Sequence, residues 1–231
     1  MSRRLPAISA IGALTLLALS ACDPTSTPAL GPLHPNTLST SVATSVATSV
    51  AASGYWTLSL PDSINGYPRL TSLTSTTQQQ LQSGLQEAEQ NGGISGGTSM
   101  TGVYDDAADG YWLAVIGVNG SGFDGSRLVA NIESKPPIVS TAGSTETSTS
   151  KSGTAGPHGG VAICRQVVTT YYGVNGEMGN EVSVCYWMTP TTFAAVTLMP
   201  KVTDSMSADY INADMVNNVM QYVRPAVEHQ S

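Results

Sequence analysis

The stretch Tyr111-Trp112-Leu113-Ala114-Val115-Ile116-Gly117-Val118 most constrains the fold. A half-buried strand alternates apolar and polar residues, but this one is apolar on both faces. It therefore belongs in the centre of a sheet. Met100 to Asp105 precedes it as a second strand, and Asp109-Gly110 supplies the hairpin turn between the two. Three more strands follow over Val161–Tyr172, Asn180–Met188 and Thr192–Met199, with Asn175-Gly176 and Thr189-Pro190 in their turns. Upstream, Trp56, Leu58 and Leu60 alternate as an opening strand that Pro61 ends. Ile64 to Leu70, with Asn65-Gly66 and Pro68, reads as turns.

Helical spacing appears in three places. Ser75-Thr76-Thr77-Gln78 fits a capping box, Leu81, Leu85 and Ala88 share one face, and Asn91-Gly92-Gly93 stops the helix. Phe123 to Glu133 reads as a short helix. Asp124 either caps it or makes a turn with Gly125. A last helix spans Ser207 to Val223, capped by Ser207. Asp209 suits its positive end, Ile211, Met215, Val219 and Val223 form its apolar stripe, and Pro225 ends it. Runs of hairpins with few helices predict an α+β domain: a single antiparallel sheet with two or three helices packed on one face. Between Pro136-Pro137 and the next strand lie mostly Ser, Thr and Gly, so 140–157 is expected as a mobile loop inside that domain.

The N-terminus carries a separate message. Arg3 and Arg4 precede an uncharged apolar run from Leu5 to Leu19, and Ser20-Ala21-Cys22 follow, the layout of a secretory signal. Leu19-Ser20-Ala21-Cys22 resembles the lipobox of bacterial lipoprotein precursors. That resemblance implies cleavage between Ala21 and Cys22 and a diacylglycerol on the Cys22 sulfur. It also implies anchoring to the cell membrane, with the protein on its outer, extracytoplasmic face. Each buried methylene contributes about 0.8 kcal/mol, so two acyl chains hold where one would not. The run is short for a membrane span and contains Pro6. Pro6 and Ala7 stand where a twin-arginine signal has bulky apolar residues, which favours the general secretory route.

Loss of residues 1–21 from the 231 leaves 210, enough for a tether and one domain. Residues 22–53 read as that tether: prolines among Ser, Thr and Ala, then Ser-Val-Ala-Thr repeats too short for a solenoid. The domain occupies 54–231. Cleavage also removes Arg3 and Arg4, which takes the formal charge from −7 to −9. A basic stripe for nucleic acid is missing, and an anionic domain is repelled by an anionic lipid surface. With Cys22 lipidated, Cys164 and Cys185 remain as an even pair in an oxidising compartment, which predicts one disulfide. Two reduced core thiols are the alternative. Pairing of the strands about a centre between Val174 and Asn175 would set the two opposite each other.

Each catalytic motif fails on context. Gly93-Ile94-Ser95-Gly96-Gly97 matches the nucleophile elbow, but a helix precedes it and a strand follows, the reverse of what the elbow needs. Ser148-Thr149-Ser150-Lys151 lies in the Ser/Thr-rich loop. Asp105, Asp106 and Asp109 evoke a calcium loop, yet Ala107 and Ile116 stand where an EF-hand needs ligands. His34, His158 and His229 are scattered, and His158 is expected in solvent without a partner. No catalytic residue, metal site or cofactor is therefore assigned. Trp112, Tyr186, Trp187, Met199 and Met215 form a candidate apolar pocket between sheet and helix, with ordinary core as the alternative.

Leu60 to Leu70, Gly156 to Cys164, Val184 to Trp187 and Tyr222 to Val227 resemble a group of uncharacterised secreted or membrane-anchored actinobacterial proteins. The resemblance spans most of 58–228. It implies an extracytoplasmic α+β domain with a Cys164–Cys185 bridge and supplies no activity. The leading function is then a non-catalytic, lipid-anchored domain that binds an envelope protein or ligand. A carrier or sensor of an apolar small molecule, and an envelope hydrolase, stand as alternatives.

Overall fold

The computed structural model describes residues 54–107, 109–173, 176–201 and 211–231. All belong to the second of two units, Ser45–Ser231. The expected signal segment 1–21, the tether 22–53, Ala21, Cys22 and the Ser207 cap lie outside the described residues.

The architecture is α+β, with a seven-stranded antiparallel sheet at its centre. Its strands are β4 (Thr98–Asp106), β5 (Tyr111–Asn119), β6 (Ile138–Ser140), β7 (Ser144–Ser152), β8 (Val161–Gly173), β9 (Gly176–Met188) and β10 (Thr192–Pro200). They lie in the order β4-β5-β10-β9-β8-β7-β6. Two short ladders stand beside this sheet. One pairs β2 (Ser63–Ile64) with β3 (Tyr67–Pro68), and the other pairs β1 (Trp56–Leu58) with β11 (Glu228–Gln230). The expected single sheet is thus corrected to one large sheet and two ladders. Asn65 and Gly66 join β2 to β3 at φ 51° and 83°, the left-handed pair that a two-residue hairpin requires.

The helices are α1 (Ser75–Gly92), α2 (Gly125–Glu133) and α3 (Ala213–Val227). They cover both faces of the sheet, which corrects the expected single face. Leu85, Ala88, Leu128 and Ile132 of α1 and α2 pack on Ile116, Val118, Tyr186 and Phe193. Val216, Met220 and Val223 of α3 pack on Leu113, Val115, Trp187 and Val196 from the other side. Two covered faces are what a strand apolar on both faces demands. Each fully buried Leu or Ile side chain contributes about 1.5–3 kcal/mol.

Helix ends follow cap chemistry. Thr74, one residue before the expected Ser75, caps α1 by accepting from the Thr77 amide, and Gly93 closes the helix at φ 62°. Asp124 caps α2 through the Ser126 and Arg127 amides. Asn212 caps α3 by accepting from the Met215 amide, so that helix begins later than the sequence suggests. It also runs through Pro225 to Val227. Proline forfeits one hydrogen bond there, and the burial of Val227 and Glu228 holds the last turn in place.

The β8–β9 hairpin is in the register anticipated. Cys164 faces Cys185, and the two form a disulfide with Cα atoms 4.0 Å apart. Strand β7 is the main departure. The segment expected as a mobile loop, 140–157, pairs with β8 from Ser144 to Ser152.

Candidate functional site

Three regions of the domain carry enough polar or unfilled character to be weighed as sites. The first lies where the first strand, β1, meets the C-terminal strand, β11. Glu228, at the end of α3, is buried, and its Oε2 accepts from Arg224 Nε at 2.7 Å. His158 Nδ1 lies 2.9 Å from the same oxygen. Thr192 Oγ1 donates to Oε1 at 2.5 Å. A carboxylate oxygen accepts, so His158 presents an N–H at Nδ1 to Glu228 and turns Nε2 away from it. The buried Arg224 guanidinium also donates from Nη1 to the Ala155 carbonyl and from Nη2 to the Gly159 carbonyl. Trp56 stacks on the imidazole with centroids 3.9 Å apart and planes at 15°. Thr191 exchanges hydrogen bonds with the Trp56 backbone, its Oγ1 accepting from the amide and donating to the carbonyl.

The loop between β7 and β8 reaches this cluster through glycine. Gly160 sits at φ 81°, and a Cβ there would run into the Met188 carbonyl. The expectation of a solvated, partnerless His158 is therefore corrected: its side chain is 17% exposed and held on two sides. A histidine oriented by a carboxylate is half of a general-base arrangement. The other half needs a nucleophile at Nε2. Among the described residues no hydroxyl or thiol bonds to that nitrogen, and Thr189, Thr191 and Thr192 are engaged with one another, with Trp56 and with Glu228. This geometry makes a clasp that joins the first strand, the glycine loop, the start of β10 and the end of α3. Sequence reasoning missed Arg224 and Glu228. Their spacing of four on one helix was the available signal.

The remaining catalytic motifs separate in space. Ser95 follows the end of α1 and precedes β4. Ser148 accepts from Arg165 Nε at 2.9 Å on one face of β7, while Lys151 pairs with Asp214 of α3 on the other. Asp105 pairs with Lys201, and Asp106 receives the Asp109 amide at 3.1 Å. As neighbours in one strand, Asp105 and Asp106 point to opposite faces. Among the described residues no three His, Cys, Asp or Glu side chains converge to hold a metal ion. Beside Asp106, Tyr67 and Tyr222 meet edge to face at 6.5 Å. Burial, with Tyr67, Asp106 and Asp109 nearby, pushes the Tyr222 phenol up to about 12.

The five residues of the expected apolar pocket do not meet. Trp187 and Met215 pack on the α3 face. Tyr186 lies on the opposite face against α1 and α2. Trp112 and Met199 join Leu81 and Val103 in a third cluster. The central sheet separates the first pair from the others. Burial pushes the Tyr186 phenol well above its ordinary range, and its oxygen accepts from Asn91 Nδ2 at 3.2 Å. Beside Tyr186, between α1 and the sheet, lies a small apolar slot of about 80 Å³.

The third region is the far end of the β8–β9 hairpin and the edge strand β6. Ile138, Val139, Tyr171 and Tyr172 are all exposed there. The Ser148 amide bonds the Pro137 carbonyl, and the Thr141 amide bonds the Ser144 carbonyl. By antiparallel alternation Val139 then faces inward to β7, and Ile138 and Ser140 turn their amides and carbonyls outward. The opposite edge differs: over β4 the chain lays its own residues 69–70, with the Leu70 amide bonded to the Val103 carbonyl.

Among the described residues no helix is long and apolar enough to cross a membrane. No family model, curated protein or solved structure matches this chain.

Proposed function

We propose that this chain is a lipid-anchored lipoprotein of the cell envelope. Cys22 would be its anchor, and its extracytoplasmic domain would bind an extended segment of a protein partner along β6. Membership in the actinobacterial group that the sequence resembles belongs to the same proposal. The observation that supports the binding reading is the contrast between the sheet edges. One is capped over Val103 and Tyr104 by the chain's own Arg69 and Leu70, and the other offers outward backbone groups at Ile138 and Ser140 beside exposed Val139, Tyr171 and Tyr172. The formal charge of −7 disfavours a second copy of the chain and favours a partner segment carrying Lys or Arg. The chain enters the domain at Trp56, beside Thr191. The thirteen-residue β8 strand carries Tyr171 and Tyr172 about 35 Å along from its start at Val161.

A photo-cross-linking residue at Val139, in intact cells, tests the binding reading. It should capture a discrete protein, and Ser140→Pro should abolish that adduct while leaving the melting temperature in place. Proline at 140 removes an outward amide, one exposed hydroxyl contact with Thr145 and no backbone bond to β7. An adduct that survives Ser140→Pro refutes strand addition. The anchor has its own test: Cys22→Ala should release the protein to the medium, and continued membrane attachment refutes lipidation.

A further inference from the structure

The slot beside Tyr186 is built, residue by residue, from side chains too small to fill the space between helix and sheet. Gly84 and Ala88 form its α1 wall, Ala114 and Ala195 its floor on β5 and β10, and Val184 and Tyr186 its β9 side. Larger residues at these positions would seat α1 directly on the sheet, as Leu81 and Leu85 do on either side of Gly84 along the helix. The Tyr186 phenol oxygen accepts from Asn91 and the Thr197 hydroxyl donates to the Ser183 carbonyl, so both hydroxyl oxygens at the slot are already bonded within the protein. Apolar spaces of this kind stay dry. The apolar surface also continues beyond the slot. Two residues along β9 from Val184, Val182 is exposed on the same face, opposite Val167 of β8. Glu87 stands at the slot and is already paired with Arg165 at 3.7 Å, which leaves little charge to select a headgroup.

We infer that this slot binds the end of a linear alkyl chain, whose further length lies over Val182 and Val167. The volume sets the class of ligand. An engineered cavity of about 150 Å³ accepts benzene. At about 80 Å³ the enclosed part admits a slender chain and excludes a ring. This site is distinct from the β6 edge, and the failure of either leaves the other standing.

Methyl NMR on the secreted Cys22→Ser chain, which carries no acyl group of its own, provides the test. The probes are 1-hexanol, 1-octanol and cyclohexanol. The methyls of Ala88, Ala114, Val184 and Ala195 should shift saturably with the linear alcohols, while Val216 and Val223 on the α3 face stay in place. Each added methylene should tighten binding by up to about fourfold. Gly84→Leu should fill the slot and weaken 1-octanol at least about tenfold. A Cβ at Gly84 meets only the flexible end of Ile116, and leucine favours the helix. If Gly84→Leu fails to fold, Ala195→Val takes its place with the same expectation. The inference is overturned by the absence of any saturable shift up to the solubility limit of 1-octanol, by equal binding of cyclohexanol, or by unchanged affinity in the filled variant.

Discussion

The two ends of the β8–β9 hairpin follow opposite rules. At the end where the first strand begins, Glu228 and Arg224 are buried, Trp56 and His158 are half-buried, and the charged groups are paired: Glu228 with Arg224, His158 and Thr192, and His158 stacked on Trp56. Tyr55 beside them is exposed, and the Trp56 Nε1 is buried without a hydrogen bond among the described residues. At the other end, apolar and aromatic side chains stand in water, and the outward backbone groups of β6 have no partner strand among the described residues. A polar cluster in the interior is stable only when fully connected. An apolar surface left outside contributes nothing to folding. The difference separates a region that holds the domain together from one that is free to meet something else.

The largest effect should come from breaking the clasp. Arg224→Met leaves a buried carboxylate without its cation and should cost about 3–5 kcal/mol in urea unfolding. A loss under about 1 kcal/mol would mean that Glu228 does not need its partner. Next comes the disulfide: replacing Cys164 and Cys185 together by alanine should cost about 3 kcal/mol by the chain-entropy model, since the bridge spans 21 residues. His158→Ala removes both the ring stack and the hydrogen bond to Glu228, for a loss of about 2 kcal/mol.

Alkaline pH should loosen the Tyr222 corner together with the sites of Tyr104 and Tyr186, whose phenols burial also pushes up. The folded Tyr222 phenol titrates near about 12, whereas an unfolded one titrates near about 10. Its contribution is therefore complete below pH about 10 and is lost as pH rises toward about 12. Tyr222→Phe should flatten the stability profile in that window, and an unchanged slope would place the alkaline sensitivity elsewhere. At the far end, Val139→Ser and Tyr172→Ser should each change stability by less than about 0.5 kcal/mol. A larger loss would mean that these side chains serve the core after all.

Legibility in the sequence follows the same division. Tyr111 to Val118, the helix around Leu81 and Leu85 and the register of Cys164 with Cys185 could be read because burial writes itself as apolar spacing. Strand β7 could not. Ser144 to Ser152 contains no apolar residue, lies largely in water, and is a strand because β8 pairs with all nine of its residues. Threonine supports that pairing through strand propensity, which a pattern of apolar alternation does not register. The clasp was hidden for a different reason. His158 and Glu228 are 70 residues apart, and their meeting depends on how β8 and α3 pack. The apolar pocket was misplaced because composition names candidates without saying which face of a strand each occupies. Tyr186 and Trp187 are adjacent in sequence and on opposite sides of the sheet.

Amide hydrogen exchange across β6 tests most directly whether one end is closed and the other open. Ile138 and Ser140 turn their amides outward, and Val139 bonds inward to β7. An open edge predicts fast exchange at 138 and 140, slow exchange at 139, and protection near the global limit through Val223 to Glu228 in the clasp. Exchange at Ile138 and Ser140 as slow as at Val139 would mean that this edge is already covered, and the division between a closed end and an open one would fall.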